Sequence, residues 1–174
     1  ELGAGDGLDQ EGIALTAAYQ DDYIGALNAI KILQDRKVHD LPVDEANLLA
    51  PYFYERLKQP ATASVGYSAA INYYQNRSNA INNALQGDAE DLKRQLISAD
   101  STQVSINNED VDLGGKLPKF FFDNIRMLAR FQPHVNRMGD ATLLREYNTL
   151  NGEYKNLLHK AAQTVLNEKA SYIT

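Results

Sequence analysis

From Asp140 to the carboxyl end, Leu143, Tyr147, Leu150, Tyr154, Leu158, Ala161 and Val165 recur at three- and four-residue steps. Only an α-helix brings residues at that spacing to one side, so the pattern predicts a single apolar stripe sustained over many turns. Asp140 stands where an N-cap is needed, and at 1.5 Å per residue the helix runs for roughly 40 Å. A chain organised around such a stripe has to supply other helices to cover it.

Several other segments carry the same signature. Tyr19, Tyr23, Leu27, Ile30 and Leu33 share a face between about Ile13 and Val38, with Gln20, Lys31 and Asp35 off it. Pro42 suits the first turn of a second helix, where Asp44 and Glu45 are favourable. Pro51 predicts a kink or a fresh start before Tyr52-Phe53-Tyr54, and Pro60 closes the segment. Tyr67, Ile71, Tyr74, Ser78, Ile81 and Leu85 mark a third helix ending at Gly87. Asp88 then caps a short one containing Leu92 and Leu96. Pro118 opens another, with Phe121, Ile125 and Leu128 as its stripe; Pro133 bends or ends it and Gly139 closes the region. Between them, residues 99–117 form a long loop, with a brief hairpin near Val104-Ser105-Ile106. Residues 1–12, rich in Gly and Asp, read as a flexible acidic tail, and residues 13–174 as one domain. The expected fold class is all-α: an antiparallel up-and-down bundle of four main helices, with short extra helices and one long loop.

A chain of 174 residues can bury a sizeable core, and 44% hydrophobic with 23% charged residues is ordinary globular composition. No apolar run approaches the roughly 18 residues needed to cross a membrane, so a soluble chain with no transmembrane segment is expected. The absence of cysteine excludes a disulfide scaffold, thiolate metal ligation and a cysteine nucleophile. The chain opens on Glu1 instead of Met, as a processed form would, which suggests an extracytoplasmic place such as the periplasm or an organelle lumen.

Charge is segregated along the chain. Glu1, Asp6, Asp9, Glu11, Asp21 and Asp22 give residues 1–22 a net charge of −6. Residues 88–112 carry −5, and residues 116–145 carry +4. An overall charge of −6 argues against nucleic acid as a partner, since binding it requires several phosphate-neutralising cations.

Candidate chemistry is sparse. His39, His134 and His159 fall on separate segments, and no HExxH pair is present. Gly3-Ala4-Gly5-Asp6-Gly7 lacks the ending and the preceding strand of a phosphate loop. The Asn108, Asp110, Asp112, Gly114 spacing invites calcium, but an EF-hand needs Gly where Leu113 stands and Glu where Lys119 stands. Asp21–Asp22 and Glu109–Asp110 are sequence neighbours, which point about 100° apart on a helix and so share no acid/base site unaided. The sequon Asn76-Arg77-Ser78 lies in a helical context that glycosylation disfavours. No catalytic, metal or cofactor-binding residue is therefore nominated.

Two features suit contact with a partner. Arg126, Arg130, His134 and Arg137 recur at helical spacing and make a cationic face, able to dock on an acidic partner or on the chain's own acidic tail. Consecutive aromatics at Tyr52-Phe53-Tyr54, Tyr73-Tyr74 and Phe120-Phe121-Phe122 cannot all face one core, so some belong at a rim. The partner-contact candidates are Arg126, Arg130, Arg137, Tyr52, Tyr54 and Phe120.

The segment Asn28-Ala29-Ile30-Lys31-Ile32-Leu33-Gln34-Asp35-Arg36-Lys37 resembles the first bundle helix of PsbQ-type extrinsic subunits of photosystem II. Phe120 through Tyr147 to Leu158 is similar in rhythm to that family's later helices. The resemblance spans under half of the chain. It implies a four-helix bundle of the thylakoid lumen, non-catalytic and docked on a membrane complex whose ions it helps retain. The leading expectation is thus a non-catalytic accessory subunit stabilising a larger, photosystem II-like assembly. A sensory or ligand-binding bundle enclosing a small molecule is the alternative, and an enzyme with a dispersed site is the third reading.

Overall fold

The computed structural model describes residues 4–36, 40–86, 103–106, 109–112 and 117–173. Among them the chain is overwhelmingly helical: α1 (Ala4–Tyr19), α2 (Tyr23–Gln34), α3 (Leu41–Arg56), α4 (Pro60–Gln86), α5 (Leu117–Arg137) and α6 (Ala141–Ile173). One short hairpin, β1 (Gln103–Ile106) and β2 (Glu109–Asp112), pairs antiparallel with Val104 opposite Val111 and Ser105 opposite Asp110. The expected short helix from Asp88 lies outside the described residues, as do His39, Asn108 and Gly114.

Three expectations are corrected. Residues 4–12 are helical, the start of α1, instead of tail. The single helix expected from Ile13 to Val38 is two helices, divided at Gln20–Asp22. Asp22 N–H reaches back to the Ala17 carbonyl at 2.8 Å and Asp21 N–H to that of Ala18 at 3.0 Å, with Asp21 at φ 60°. This is a Schellman ending with Asp in the left-handed position where glycine is usual. Asp22 then caps α2 by accepting from Gly25 N–H at 2.9 Å. The same ending closes α3, with Lys58 at φ 61° and Gln59 N–H bonded to the Tyr54 carbonyl.

The third correction concerns proline. Neither Pro51 nor Pro133 stops its helix; α3 and α5 run through them. A mid-helix proline costs about 3 kcal/mol, so packing must offset it. At Pro51 the ring lies against Gly66 of α4, and a Cβ added at Gly66 would fall 2.9 Å from Pro51 Cβ. The capping expectations hold elsewhere: Asp140 accepts from Leu143 N–H at 3.1 Å, and Gly139 takes φ 67°.

Helix directions follow from the contacts. Asp44 meets Tyr73, Tyr74 and Arg77 while Pro51 meets Gly66, so α3 and α4 are antiparallel. Phe121 meets Tyr154, and Leu128 meets Tyr147, so α5 and α6 are antiparallel too. Between these two hairpins the sense is parallel: Ser64 bonds Asp140 and Lys160 bonds Asn82 across α4 and α6. Glu45 pairs with Arg130 and Glu55 with Arg137 across α3 and α5. Both hairpin turns therefore sit at one end. α1 packs chiefly on α2 and more lightly on α3, and α2 lies along α3.

The core is unusually rich in tyrosine. Tyr67, Tyr74, Tyr147 and Tyr154 are fully buried, with Phe53, Phe121, Leu128 and Leu150 around them. A buried hydroxyl ordinarily has a partner; three of the four do, while the Tyr67 hydroxyl has none among the described residues. Tyr74 donates to the Asp44 carbonyl at 2.7 Å, Tyr154 to the Tyr74 carbonyl at 2.9 Å, and Tyr147 to the Leu128 carbonyl. Each bond ties one helix to the backbone of another, so the tyrosines set helix spacing as well as filling volume. From Leu143 to Ala161 the α6 stripe faces this core as expected, with Leu157 also buried and Leu158 only partly so, and the Val165 side chain lies outside the described ones.

Gly66→Ala should lower stability by about 1–2 kcal/mol, because overpacking against the rigid Pro51 ring outweighs alanine's better helix propensity. Urea denaturation measures it; a stabilised variant would show that α3 and α4 are not held at this close approach.

Candidate functional site

Asp40 begins the construction of the most unusual region. It caps α3, accepting from Val43 N–H at 3.2 Å, which sets Asp44 one turn further along the same helix face. Asp44 is fully buried and forms an ion pair with Arg77 of α4, itself only 8% exposed. Tyr73 donates to Asp44 Oδ1 at 2.7 Å, and Asp44 Oδ2 is buried without a hydrogen-bond partner among the described residues. The Arg77 guanidinium lies 5.0 Å from the Phe120 ring centre and 5.6 Å from that of Tyr73. Among the described residues a buried guanidinium is thus met by a carboxylate and two aromatic faces.

A second buried pair, Arg36–Asp40 at 3.3 Å, closes the neighbouring corner between α2 and α3. Against it lies Gly7 of α1, whose missing side chain makes room for the Arg36 guanidinium. One turn on, Glu11 carries its Oε2 into the interior, where it finds no hydrogen-bond partner among the described residues. Burial pushes the Glu11 carboxyl up to about 7; Arg130 opposes the rise and Asp40 adds to it. Arg130 is itself committed to Glu45 of α3. Four acids and three arginines from α1, α3, α4, α5 and the end of α2 therefore meet in one region. Beside it lies a cavity of about 340 Å³ lined by Leu41, Glu45, Asp123, Arg126, Met127 and Arg130.

The cationic stripe of α5 is largely answered from within the chain. Arg130 pairs with Glu45, and Arg137 donates to Glu55 Oε1 at 2.9 Å. His134 Nδ1 stands 3.8 Å from the same carboxylate, its ring centre 4.6 Å from that of Tyr52. Burial first, then Arg137, hold the His134 imidazole below its ordinary range, against the pull of Glu55. The acids that meet this stripe come mainly from α3, although Glu11 brings the amino-terminal acidic segment within Coulomb range of Arg130. Arg126 is exposed, 5.4 Å from the Phe122 ring centre.

Of the contact candidates, Tyr52 and Tyr54 are half-buried, and Arg126, Arg130 and Arg137 are exposed or partly so. Phe120 is corrected: it is buried beneath Arg77, and Phe122 is the exposed ring of that triplet. His159 is exposed. Among the described residues no group of three or more metal-ligating side chains converges, and no helix is long and apolar enough to cross a membrane. Sequence reasoning missed Glu11, Asp44 and Arg77. One signal was present: Arg77 occupies the α4 stripe between Tyr74 and Ile81, a core position held by a cation.

Comparison with protein families, curated proteins and solved structures finds no match for this chain.

Asp44→Ala should cost about 3–5 kcal/mol, since it breaks a buried ion pair by removing one side of it. Adding Arg77→Met should recover most of that loss. Chemical denaturation of the single and double variants tests the pair, and independent, additive losses would dissolve it as a unit.

Proposed function

We propose that this chain is a non-catalytic helical module that docks on a larger protein assembly and stabilises it, with α3, α4, α5 and α6 forming a four-helix scaffold. The observation carrying this reading is where large apolar side chains remain in water. Ile13, Leu15 and Tyr19 of α1 and Ile24 and Ile32 of α2 are all exposed, Tyr19 at 92%. Leu15 and Tyr19 lie one turn apart, and Ile24 and Ile32 about two, so each pair shares a helix face. Among the described residues these are five of the nine exposed large apolar side chains, with Leu41, Val65, Phe122 and Leu166 spread singly over the other helices, and a cluster of that kind on one hairpin is typical of a surface that another macromolecule covers. The exposed Arg126 and Phe122 of α5, with half-buried Tyr52 and Tyr54, are secondary contacts in this reading. A photosystem II partner and a thylakoid-lumen place rest on the sequence resemblance.

A stoichiometric complex recovered with the chain from its native source should be lost in an Ile24→Asp/Ile32→Asp variant that keeps its melting temperature. Equal recovery with the double variant would remove the α1–α2 hairpin as the docking surface.

The ligand-binding alternative has its own observation, the cavity of about 340 Å³ with an apolar floor of Leu41 and Met127 and polar groups from Glu45, Arg126 and Arg130. Under that reading Met127→Trp fills the space and abolishes binding of a small molecule found by thermal-shift screening. A hit that binds the variant unchanged sits elsewhere.

A further inference from the structure

Helix α1 is held to the rest of the molecule in a peculiar way. Among its described side chains the inward side consists of Gly7, Glu11, Ala14, Ala17 and Ala18, of which Ala14 is fully buried and Ala17 and Ala18 partly so. Alanines and a glycine bury little apolar area, so the docking of this helix is weakly driven. Its larger apolar side chains among those described, Ile13, Leu15 and Tyr19, are exposed. In the middle of that small-residue contact stands one carboxyl group, Glu11, with a buried oxygen that nothing described hydrogen-bonds.

Among the described residues an ionised Glu11 has no dedicated counter-charge. The groups facing it are Asp40 at the start of α3, Tyr74 of α4 and Arg130 of α5; Arg36 lies against Gly7 one turn away, and Asp44, Arg77 and Glu45 make the adjoining ion pairs. The three other acids already hold an arginine each: Asp40 has Arg36, Asp44 has Arg77 and Glu45 has Arg130. A fourth negative charge in this place meets Asp40 as a repulsion and Arg130 as a cation shared with Glu45. A neutral carboxylic acid meets neither penalty.

We propose that α1 is a proton-controlled strap: protonated at Glu11 it closes on α2 and α3, and ionised at Glu11 it opens while α3, α4, α5 and α6 stay folded. The buried position that raises the Glu11 carboxyl to about 7 fixes the sign. Closure takes up a proton, so the strap is tightest below the ordinary carboxyl range near 4.5, loosens as pH rises from there to about 7, and is constant above. This device is intramolecular and stands whether or not the hairpin docks on a partner.

The test is hydrogen exchange read by mass spectrometry at pH 5 and pH 8, with intrinsic rates divided out. In the wild-type chain, protection of residues 4–19 should fall by about tenfold or more between the two pH values, after allowing for the partial solvent screening of Glu11. Protection of α6 should stay level. Glu11→Gln should hold α1 protection nearly constant across the range. Equal protection of wild-type α1 at both pH values overturns the strap, as does a drop that the glutamine variant retains, or one that α6 shares. Should Glu11→Gln fail to fold, the side-chain carboxyl resonance of Glu11 in the wild-type chain decides: a midpoint near 7 supports closure by protonation, and one near 4.5 refutes it.

Discussion

The buried contact between Asp44 and Arg77 is the constraint around which the rest of the molecule is arranged. Taking both charges out of water carries a penalty of several kcal/mol per ion before their attraction is counted. The structure offsets that penalty locally. Tyr73 donates to the carboxylate, Tyr74 donates to the Asp44 carbonyl, and Phe120 covers the guanidinium. Those partners come from α3, α4 and α5, so the contact forms only when all three helices hold one register. A slip of one turn along α4 moves Arg77 about 5.4 Å from Asp44 and strands a charge in the interior. Apolar packing alone would penalise that slip far less, because Tyr, Ile and Leu recur at every turn of α4.

The same corner explains why charge is segregated along the chain. The basic segment that includes α5 meets acids of α3 at two levels, Glu45 with Arg130 and Glu55 with Arg137. These links join the two hairpins in parallel, with both turns at one end. Helix α1 then adds Glu11 to a region whose other acids are matched, and it does so on a face built of glycine and alanine. Interior and exterior of the α1–α2 hairpin thus have opposite character. The inside is small and charge-sensitive, and the outside carries Ile13, Leu15, Tyr19, Ile24 and Ile32. A helix attached so lightly, with its large apolar groups outward, suits a contact element better than a structural one.

Much of the helical content was legible because it rests on period. The α6 stripe, the Asp140 cap and the Gly139 ending all follow from local spacing and from residues with strong conformational preferences. Helix endings without glycine were not legible. Asp21 and Lys58 take the left-handed conformation although nothing in their side chains announces it, and the α1–α2 break was read as continuous helix for that reason. At Pro51 the fresh start that local reading allowed does not occur: α3 runs through it, and the ring packs against Gly66, fifteen positions along the chain. At the candidate site, the stripe position of Arg77 was visible as a pattern, but nothing local identified Asp44 as its partner. Phe120 and Phe122 are equivalent by composition, and the face of α5 that packs inward decides which ring is buried: Phe120 shares it with Asn124, Met127 and Phe131, whereas Phe122 lies on the exposed side with Arg126.

By itself, then, the sequence determined that this chain folds as helices, where most of them lie, which of their faces are apolar, and that common motifs of catalysis or metal binding are missing. Those properties depend on interactions between residues a few positions apart, which a linear pattern records. The tertiary structure alone decided that the two hairpins align in parallel, that Asp44 and Arg77 share the interior, and that Glu11 is enclosed among charges already matched. Each of those outcomes depends on groups tens of residues apart, and on a dielectric environment that exists only once the helices have excluded water.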